Sequence, residues 1–361
     1  MRIAVAREFQ PGEARVALVP ELVGKIKTAG YDVAVQSGAG RPAMLTDEAY
    51  AAAGASSTDT LDQADVVISV QPLADDQVTA LRPGATTISF FPRTIDVAAR
   101  VAGSITTFGM EYVPRISRAQ SMDALSSQSL VAGYRAAIVA AGRLRQFFPL
   151  SMTAAGTVPP AQIVVLGAGV AGLQAIATCR RLGAVVKGYD VRAAASEEIR
   201  SMGAQAIELD LPSLEGAGGY AREMTEDRAA RQRELLAPYI AAADALITTA
   251  AVPGRQAPVL VTSEMVAQMK PGSVVVDLAA ESGGNVEGVQ AGGVVQIGGV
   301  QLWGGANVPS QMPGPASRLY AQNVVNVILL MTHEGGFAPD FDDEIVAAMC
   351  LTRAGAERTA P

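Results

Sequence analysis

Histidine and tryptophan occur once each in the 361 residues, cysteine twice, and aromatic side chains make up only 5% of the chain. Cys179 and Cys350 lie far apart and form no Cys-x-x-Cys pair, so two reduced thiols are expected, with no disulfide framework and no metal centre. The lone histidine, His333, follows the long apolar C-terminal segment and is expected at the surface or at a cap. Apolar runs such as Val324 to Met331 fall far short of the roughly 20 residues a membrane span needs. The start, Met1-Arg2-Ile3-Ala4-Val5, lacks the apolar region and cleavage site of a secretory leader. A soluble chain in the reducing cytoplasm, without direct membrane insertion, is the expectation. A formal net charge of -7 argues against a nucleic-acid backbone or an anionic membrane surface as a direct partner.

Apolar residues are plentiful, at 49%, and the length exceeds the roughly 250–300 residues that one core usually serves, so two domains are expected. Short apolar runs alternate with helical patterns from the start: Ile3 to Ala6, a helix near Val19 to Ala29, Asp32 to Gln36, Val66 to Val70, and Ala85 to Phe90. A second series follows Pro159-Pro160: Gln162 to Leu166, Val185 to Tyr189, Ala245 to Thr249, and Ser273 to Asp277. Such alternation marks βαβ units and parallel sheets. The fold class is therefore α/β, with two doubly wound, Rossmann-like domains. Residues 1–128 with 317–361 form the first, completed by the C-terminal segment, and residues 129–316 form the second. Helices near Gly133 to Phe148 and Ser317 to Met331 flank the second series, and Leu211 to Tyr220, rich in turn residues, reads as a mobile surface loop.

The run Gln162-Ile163-Val164-Val165-Leu166-Gly167-Ala168-Gly169-Val170-Ala171-Gly172 is a strand, then G-x-G-x-x-G, then an apolar helix. Gly167 suits the tight turn, Gly169 lets backbone N–H groups approach a pyrophosphate, and Gly172 lets helix and strand pack closely. The strand Val185 to Tyr189 ends at Asp190, followed by Val191 and Arg192. A carboxylate at that place accepts bonds from ribose hydroxyls and repels a 2′-phosphate, which favours NAD(H), although a nearby arginine can accommodate that phosphate.

Ahead of this motif a polar run stands out in an otherwise apolar, Ala- and Gly-rich chain, Pro114-Arg115-Ile116-Ser117-Arg118-Ala119-Gln120-Ser121-Met122-Asp123-Ala124-Leu125-Ser126-Ser127-Gln128. So many polar groups must bond one another, backbone or a ligand, because each one buried without a partner costs about 1–3 kcal/mol. If the segment is helical, Gln120, Asp123 and Ser127, or Asp123 and Ser126, share a face. An interdomain hydrogen-bond network with capping serines is the alternative.

On these motifs the chain resembles the alanine dehydrogenase and proton-translocating nicotinamide nucleotide transhydrogenase superfamily over nearly its whole length. Arg2 to Pro20, with Glu8 and Arg15-Val16-Ala17, is similar to the N-terminus of both branches. The polar run, Ala132 to Ala136, Thr153 to Pro160, and Ile247-Thr248-Thr249-Ala250 with Pro253-Gly254 resemble the NAD(H)-binding domain of the transhydrogenase α subunit. The resemblance implies direct hydride transfer between NAD(H) here and NADP(H) on a partner, with activity only alongside partner subunits. It implies that Arg115 pairs with Asp123 beside the nicotinamide, Ser126 bonds the carboxamide, and Gln120 reaches toward NADP(H). Gly167, Gly169, Val170, Ala171, Gly172, Asp190, Val191, Arg192, Gly219, Tyr220 and Thr249 are implied as cofactor contacts, with Tyr220 closing over the nucleotide. It further implies a homodimer at the inner face of the cell membrane, docked onto membrane-embedded subunits and an NADP(H)-binding domain that couple transfer to proton flow.

An alanine dehydrogenase-like oxidoreductase is the runner-up. In that branch a lysine and a histidine serve the chemistry, and here Gln71 and Pro92 stand at those positions. Neither can carry a proton near neutral pH. A non-catalytic NAD sensor is a further alternative, weakened by the polar set on the nicotinamide side.

Overall fold

The computed structural model describes residues 1–92, 95–211, 225–251 and 254–354, and these divide into two compact units, 1–128 with 309–361 and 129–308. In the first unit, strands β1 (Arg2–Val5), β2 (Asp32–Gln36), β3 (Ser56–Thr58), β4 (Val66–Ile68), β5 (Thr86–Ser89) and β6 (Thr106–Gly109) form a parallel sheet. Its order is β6-β5-β4-β1-β2-β3, with Cys350–Thr352 added antiparallel outside β6. β4, β5 and β6 are buried at every position. That is why β4, Val66-Val67-Ile68, reads as an unbroken apolar run and not as an alternating pattern, whereas β6, Thr106-Thr107-Phe108-Gly109, carries no such signal.

The sequence after residue 309 completes this unit. The helix Pro313–Leu330 supplies Tyr320, Val324, Val325, Val327 and Ile328 to the same apolar cluster as Ile3, Val5, Val66 and Ile88. It starts ahead of the expected Ser317 because Pro313 occupies the first helical turn, where its missing N–H costs nothing.

In the second unit an exposed hairpin of β7 (Ser151–Thr153) and β8 (Gly156–Val158), unforeseen in the sequence, precedes the main sheet. The main sheet comprises β9 (Gln162–Leu166), β10 (Val185–Tyr189), β11 (Gln205–Ala206), β12 (Ala245–Thr248), β13 (Val274–Asp277), β14 (Val294–Ile297) and β15 (Val300–Gly304). Their order is β11-β10-β9-β12-β13-β15-β14, with only β14 antiparallel. The chain reverses its direction of travel across the sheet between β9 and β12, the kind of place where doubly wound sheets take ligands.

A long helix, Ala124–Arg143, starts well before the expected Gly133. Its start is set by Asp123, whose carboxylate accepts from the N–H of Ser126. Gly133 lies inside it for a packing reason: a Cβ there would meet the Ala171 carbonyl oxygen at 2.1 Å.

Because Ile328 is fully buried in the first unit (0% exposed), Ile328→Ala is expected to cost about 2–5 kcal/mol, and Ile328→Val about 0.5–1.5 kcal/mol. Urea unfolding followed by circular dichroism checks this; a loss below about 0.5 kcal/mol for the alanine variant would detach the C-terminal helix from this core.

Candidate functional site

The register of β9 against β10, Val185 with Gln162 through Tyr189 with Leu166, brings the two strand ends together and so sets Gly167 beside Asp190. Gly167 has φ +95, and a Cβ there would meet Thr249 Oγ1 at 2.6 Å. At Gly172 a Cβ would meet the Gly167 carbonyl oxygen at 1.8 Å, so helix and loop touch backbone to backbone. Gly169 differs from both, because nothing lies within 4 Å of the place its Cβ would take. The loop is therefore closed on its protein side and open at Gly169. The helix Val170–Arg181 begins there without a side-chain cap, and Val170 is 40% exposed. An open approach, unclaimed helical N–H groups and a positive dipole end suit a pyrophosphate.

Asp190 is more heavily engaged than the sequence suggests. Its Oδ2 accepts from the Ala168 N–H at 2.8 Å and from Arg192 Nη2 at 3.2 Å. Its Oδ1 accepts from the N–H and the Nε of Arg192, both at 2.9 Å. Arg192 also donates to the Ala168 carbonyl at 3.2 Å, which locks the pair against the glycine loop. A carboxylate offers about four acceptor sites, and all four are used.

Thr249, at the end of β12, donates from Oγ1 to the Gly167 carbonyl at 3.1 Å. The loop after it is held by Asn285, whose Oδ1 accepts from Ala250 N–H at 2.9 Å and whose Nδ2 donates to the carbonyls of Ala250 and Pro258 at 2.7 and 2.9 Å. Asn285 is held in turn by Asp277, which accepts from the N–H groups of Asn285 and Val286 at 2.7 and 3.0 Å. Burial pushes the Asp277 carboxyl upward, and those donors oppose the shift. Sequence reasoning missed both residues. The available signal was a carboxylate closing the wholly apolar strand Val274-Val275-Val276.

In the first unit the polar run is not one helix. Ser117–Met122 forms a 3-10 turn, Asp123 is extended, and only then does the helix begin. The extended cap brings Asp123 and Ser126 together, with Ser126 Oγ donating to Asp123 Oδ2 at 2.5 Å. Arg115 and Gln120 stand exposed on the same segment. Arg118 pairs with Asp343 at 2.8 Å and with Glu344 at 3.2 Å, and so joins the run to the C-terminal stretch of the same unit. Gly219 and Tyr220, with most of the expected loop, lie outside the described residues, as do Arg93 and Pro253.

Arg15 and Glu13, both buried, form a two-point ion pair, Nε to Oε1 at 2.8 Å and Nη2 to Oε2 at 2.7 Å. Arg15 Nη1 donates to Gln128 Oε1 at 2.9 Å, Gln71 Nε2 donates to Glu13 Oε2 at 2.8 Å, and Ser310 Oγ donates to Glu13 as well. Burial would raise the Glu13 carboxyl, but Arg15, Gln71 and Ser310 overcome it and hold it at about 2. Glu8, near the same cluster, is pushed up to about 7 by burial, against the N–H groups of Val70 and Gln71 that it accepts.

Comparison with known proteins places these features in one family. The family model described as the N-terminal domain of alanine dehydrogenase/PNT matches residues 4–132, and the model of its C-terminal domain matches residues 136–359. The chain belongs to the alanine dehydrogenase/PNT family. It is 46% identical to the α1 chain of the NAD(P) transhydrogenase of Rhodospirillum rubrum, over 99% of this chain and 97% of that one. Alanine dehydrogenase of Mycobacterium tuberculosis is 32% identical over 80% of this chain and 75% of its own. Among solved structures, the transhydrogenase of Sinorhizobium meliloti superposes with a TM-score of 0.90 at 45% identity, covering 99% of both chains. An L-alanine dehydrogenase gives 0.82 at 23% identity over 98% and 96%, a likeness of fold.

Within this alanine dehydrogenase/PNT chain the Arg15 cluster is internally neutralised. Arg15 spends its charge on Glu13, Gln71 spends its amide on the same carboxylate, and Pro92 has no proton to give. Glu13→Gln leaves Arg15 buried without its counter-charge, and a loss of about 3–5 kcal/mol is expected at neutral pH. The folded-state carboxyl is lowered, so its contribution is present above the ordinary 4.5 and disappears as pH falls toward about 2. The stability gap between wild type and Glu13→Gln should therefore narrow across that window in denaturation curves. A gap independent of pH would rule out the ion pair as its source.

Proposed function

We propose that this chain is the NAD(H)-binding subunit of a proton-translocating NAD(P) transhydrogenase, handing hydride directly to or from NADP(H) on a partner subunit. One observation carries the reading: a nucleotide loop left open at Gly169 is combined with an Arg15 cluster in which Gln71 is bonded to Glu13, and Gln71 and Pro92 stand where the amino-acid branch, by resemblance, has its lysine and histidine. Glu8, the carboxyl near the cluster held at about 7, is tied to the N–H groups of Val70 and Gln71. Amino-acid oxidation needs a proton carrier, whereas transfer between two nicotinamide rings needs only alignment and exclusion of water. The 46% identity to a transhydrogenase α chain supports the same branch.

NAD(H), when bound, supplies the hydride chemistry. The chain's role is to hold it. The N–H groups at Gly169 to Gly172 receive the pyrophosphate, with Val170 and Ala171 opening the helix and Thr249 bracing the loop. Asp190 takes the ribose hydroxyls in place of the bonds its carboxylate now accepts from the Arg192 side chain, with Val191 beside it. Asp123 and Ser126 hold the nicotinamide carboxamide region through the start of the helix, Arg115 shields the Asp123 carboxylate, and Gln120 reaches toward the second nucleotide. Gly219 and Tyr220 close the site on the strength of the resemblance. The chain works as a homodimer, peripheral at the cytoplasmic face, docked on membrane-embedded subunits. Among the described residues no helix is long and apolar enough to cross a membrane itself.

Mixing the purified chain with a separately expressed NADP(H)-binding partner and following hydride transfer tests the whole reading. Alanine-dependent NADH formation without transfer would overturn it. Nucleotide choice is expected to rest on the Asp190–Arg192 pair. Asp190→Ala frees a guanidinium for a 2′-phosphate and should narrow the preference for NADH over NADPH. Arg192→Ala leaves the carboxylate uncompensated and should widen it. Equilibrium titrations decide, and equal affinities in the wild type would remove Asp190 from this role.

Gln120→Asn should leave NADH affinity nearly intact yet slow single-turnover transfer, since a misplacement of about 1 Å can cost about a hundredfold. Wild-type transfer in the folded variant would take Gln120 out of the transfer site.

A further inference from the structure

The unit 129–308 has a second concave region, at the edge of its sheet opposite the glycine loop. β9, β12, β13 and β15 run parallel, so Gly167 follows their C-terminal ends, while Pro271-Gly272 and Gly298-Gly299 precede β13 and β15. Between those two turns and the end of the helix Ala124–Arg143 lies a cavity of about 350 Å³, lined by Arg143, Arg145, Gly272, Gln296, Gly299 and Gln301. The size falls within the roughly 300–1,000 Å³ typical of small-molecule sites.

The chemistry of this lining is one-sided. It contains two guanidinium groups, two carboxamides and two glycines, with no carboxylate and no apolar side chain. Arg143 donates to Gln301 Oε1 at a long 3.4 Å, which aims its fork along the cavity wall. Ion pairs among the described residues use other side chains, and neither arginine takes part in one. The acid that precedes β12 at this same end of the sheet, Asp244, is committed to Lys270 Nζ and to the Gln162 N–H, both at 2.7 Å. Carbonyls at the helix C-terminus carry about half a negative elementary charge, so they offset only a fraction of two guanidinium charges. A chain of net charge -7 thus keeps an uncompensated, donor-rich positive cavity.

We propose that this cavity binds a small, doubly charged oxyanion of the phosphate-monoester class. Planar guanidinium forks match phosphate oxygens two at a time, and the amides of Gln296 and Gln301 complete a set of donors. The site is separate from the nucleotide loop and is available while that loop is filled.

The test is equilibrium dialysis of inorganic phosphate against the NADH-saturated protein, with chloride matching the ionic strength. Saturable binding near one phosphate per chain is expected, displaced by glycerol 3-phosphate. Arg145 is exposed, so Arg145→Ala should fold normally and bind phosphate about tenfold or more weakly. Gln301→Glu, which hands Arg143 an internal carboxylate, should weaken it similarly with the melting temperature unchanged in phosphate-free buffer. Uptake that is not saturable, or that is equal in the wild type and both variants, overturns the site. Saturable phosphate binding that glycerol 3-phosphate cannot displace overturns the monoester assignment.

Discussion

The buried ion pair between Glu13 and Arg15 organises the first unit. Taking two charges out of water costs several kcal/mol per ion, and such a pair persists only where hydrogen bonds satisfy the remaining donors and acceptors. Gln128, Gln71 and Ser310 do this, and each comes from a different stretch of chain. The pair therefore ties the segment after β1 to the loop after β4, to the first turns of the helix Ala124–Arg143, and to the residues just before Pro313. Ser317 accepts the Val16 N–H at 3.0 Å and Tyr320 donates to the Ser69 carbonyl at 2.8 Å, which extends the same seam. The polar run inherits its placement from this network, because Gln128 closes the run and Asp123 caps the helix that contains Gln128.

Much of the sheet architecture is readable from residue patterns. The spans of β2, β9 and β10 coincide with their expected limits, because β-branched runs bounded by Gly, Pro or Asp leave little choice in a parallel sheet. The glycine loop is equally readable, since Gly167 and Gly172 answer steric demands visible in the motif and Gly169 leaves the approach open. The helix Ala124–Arg143 begins earlier than its pattern suggests because its first turns are serine-rich and weakly periodic, and an aspartate cap outweighs that composition. The partner of Arg15 at Gln128, 113 positions away, has no local signal at all. Likewise, the engagement of Asp190 by Arg192 depends on a side chain turning back two residues, which spacing alone does not reveal.

The family joins two chemistries on one scaffold, and the difference between them lies in few positions. By resemblance, a lysine and a histidine serve the chemistry of the amino-acid branch, and Gln71 and Pro92 stand at those positions here. Arg15 is retained while its charge is absorbed by Glu13 and Gln71 fills the gap. The retained arginine belongs to the framework, so its presence says little about substrate. The nucleotide half is treated differently: Gly167 and Gly172 admit no side chain, whereas Asp190 and Arg192, just past the end of β10, hold the loop through hydrogen bonds to the Ala168 backbone.

The first unit is assembled from two separated stretches, 1–128 and 309–361, with the whole of the second unit between them. Domains usually mature in order as a chain leaves the ribosome, the N-terminal one first. That order is inverted here. Strands β1 to β6 emerge early but lack Tyr320, Val324 and Ile328 against their apolar face until nearly all of the polypeptide has been made. The contiguous unit 129–308 can close while they wait. The apolar face of residues 1–128 thus stays uncovered until the C-terminal stretch arrives, and transiently exposed apolar surface of that kind favours aggregation.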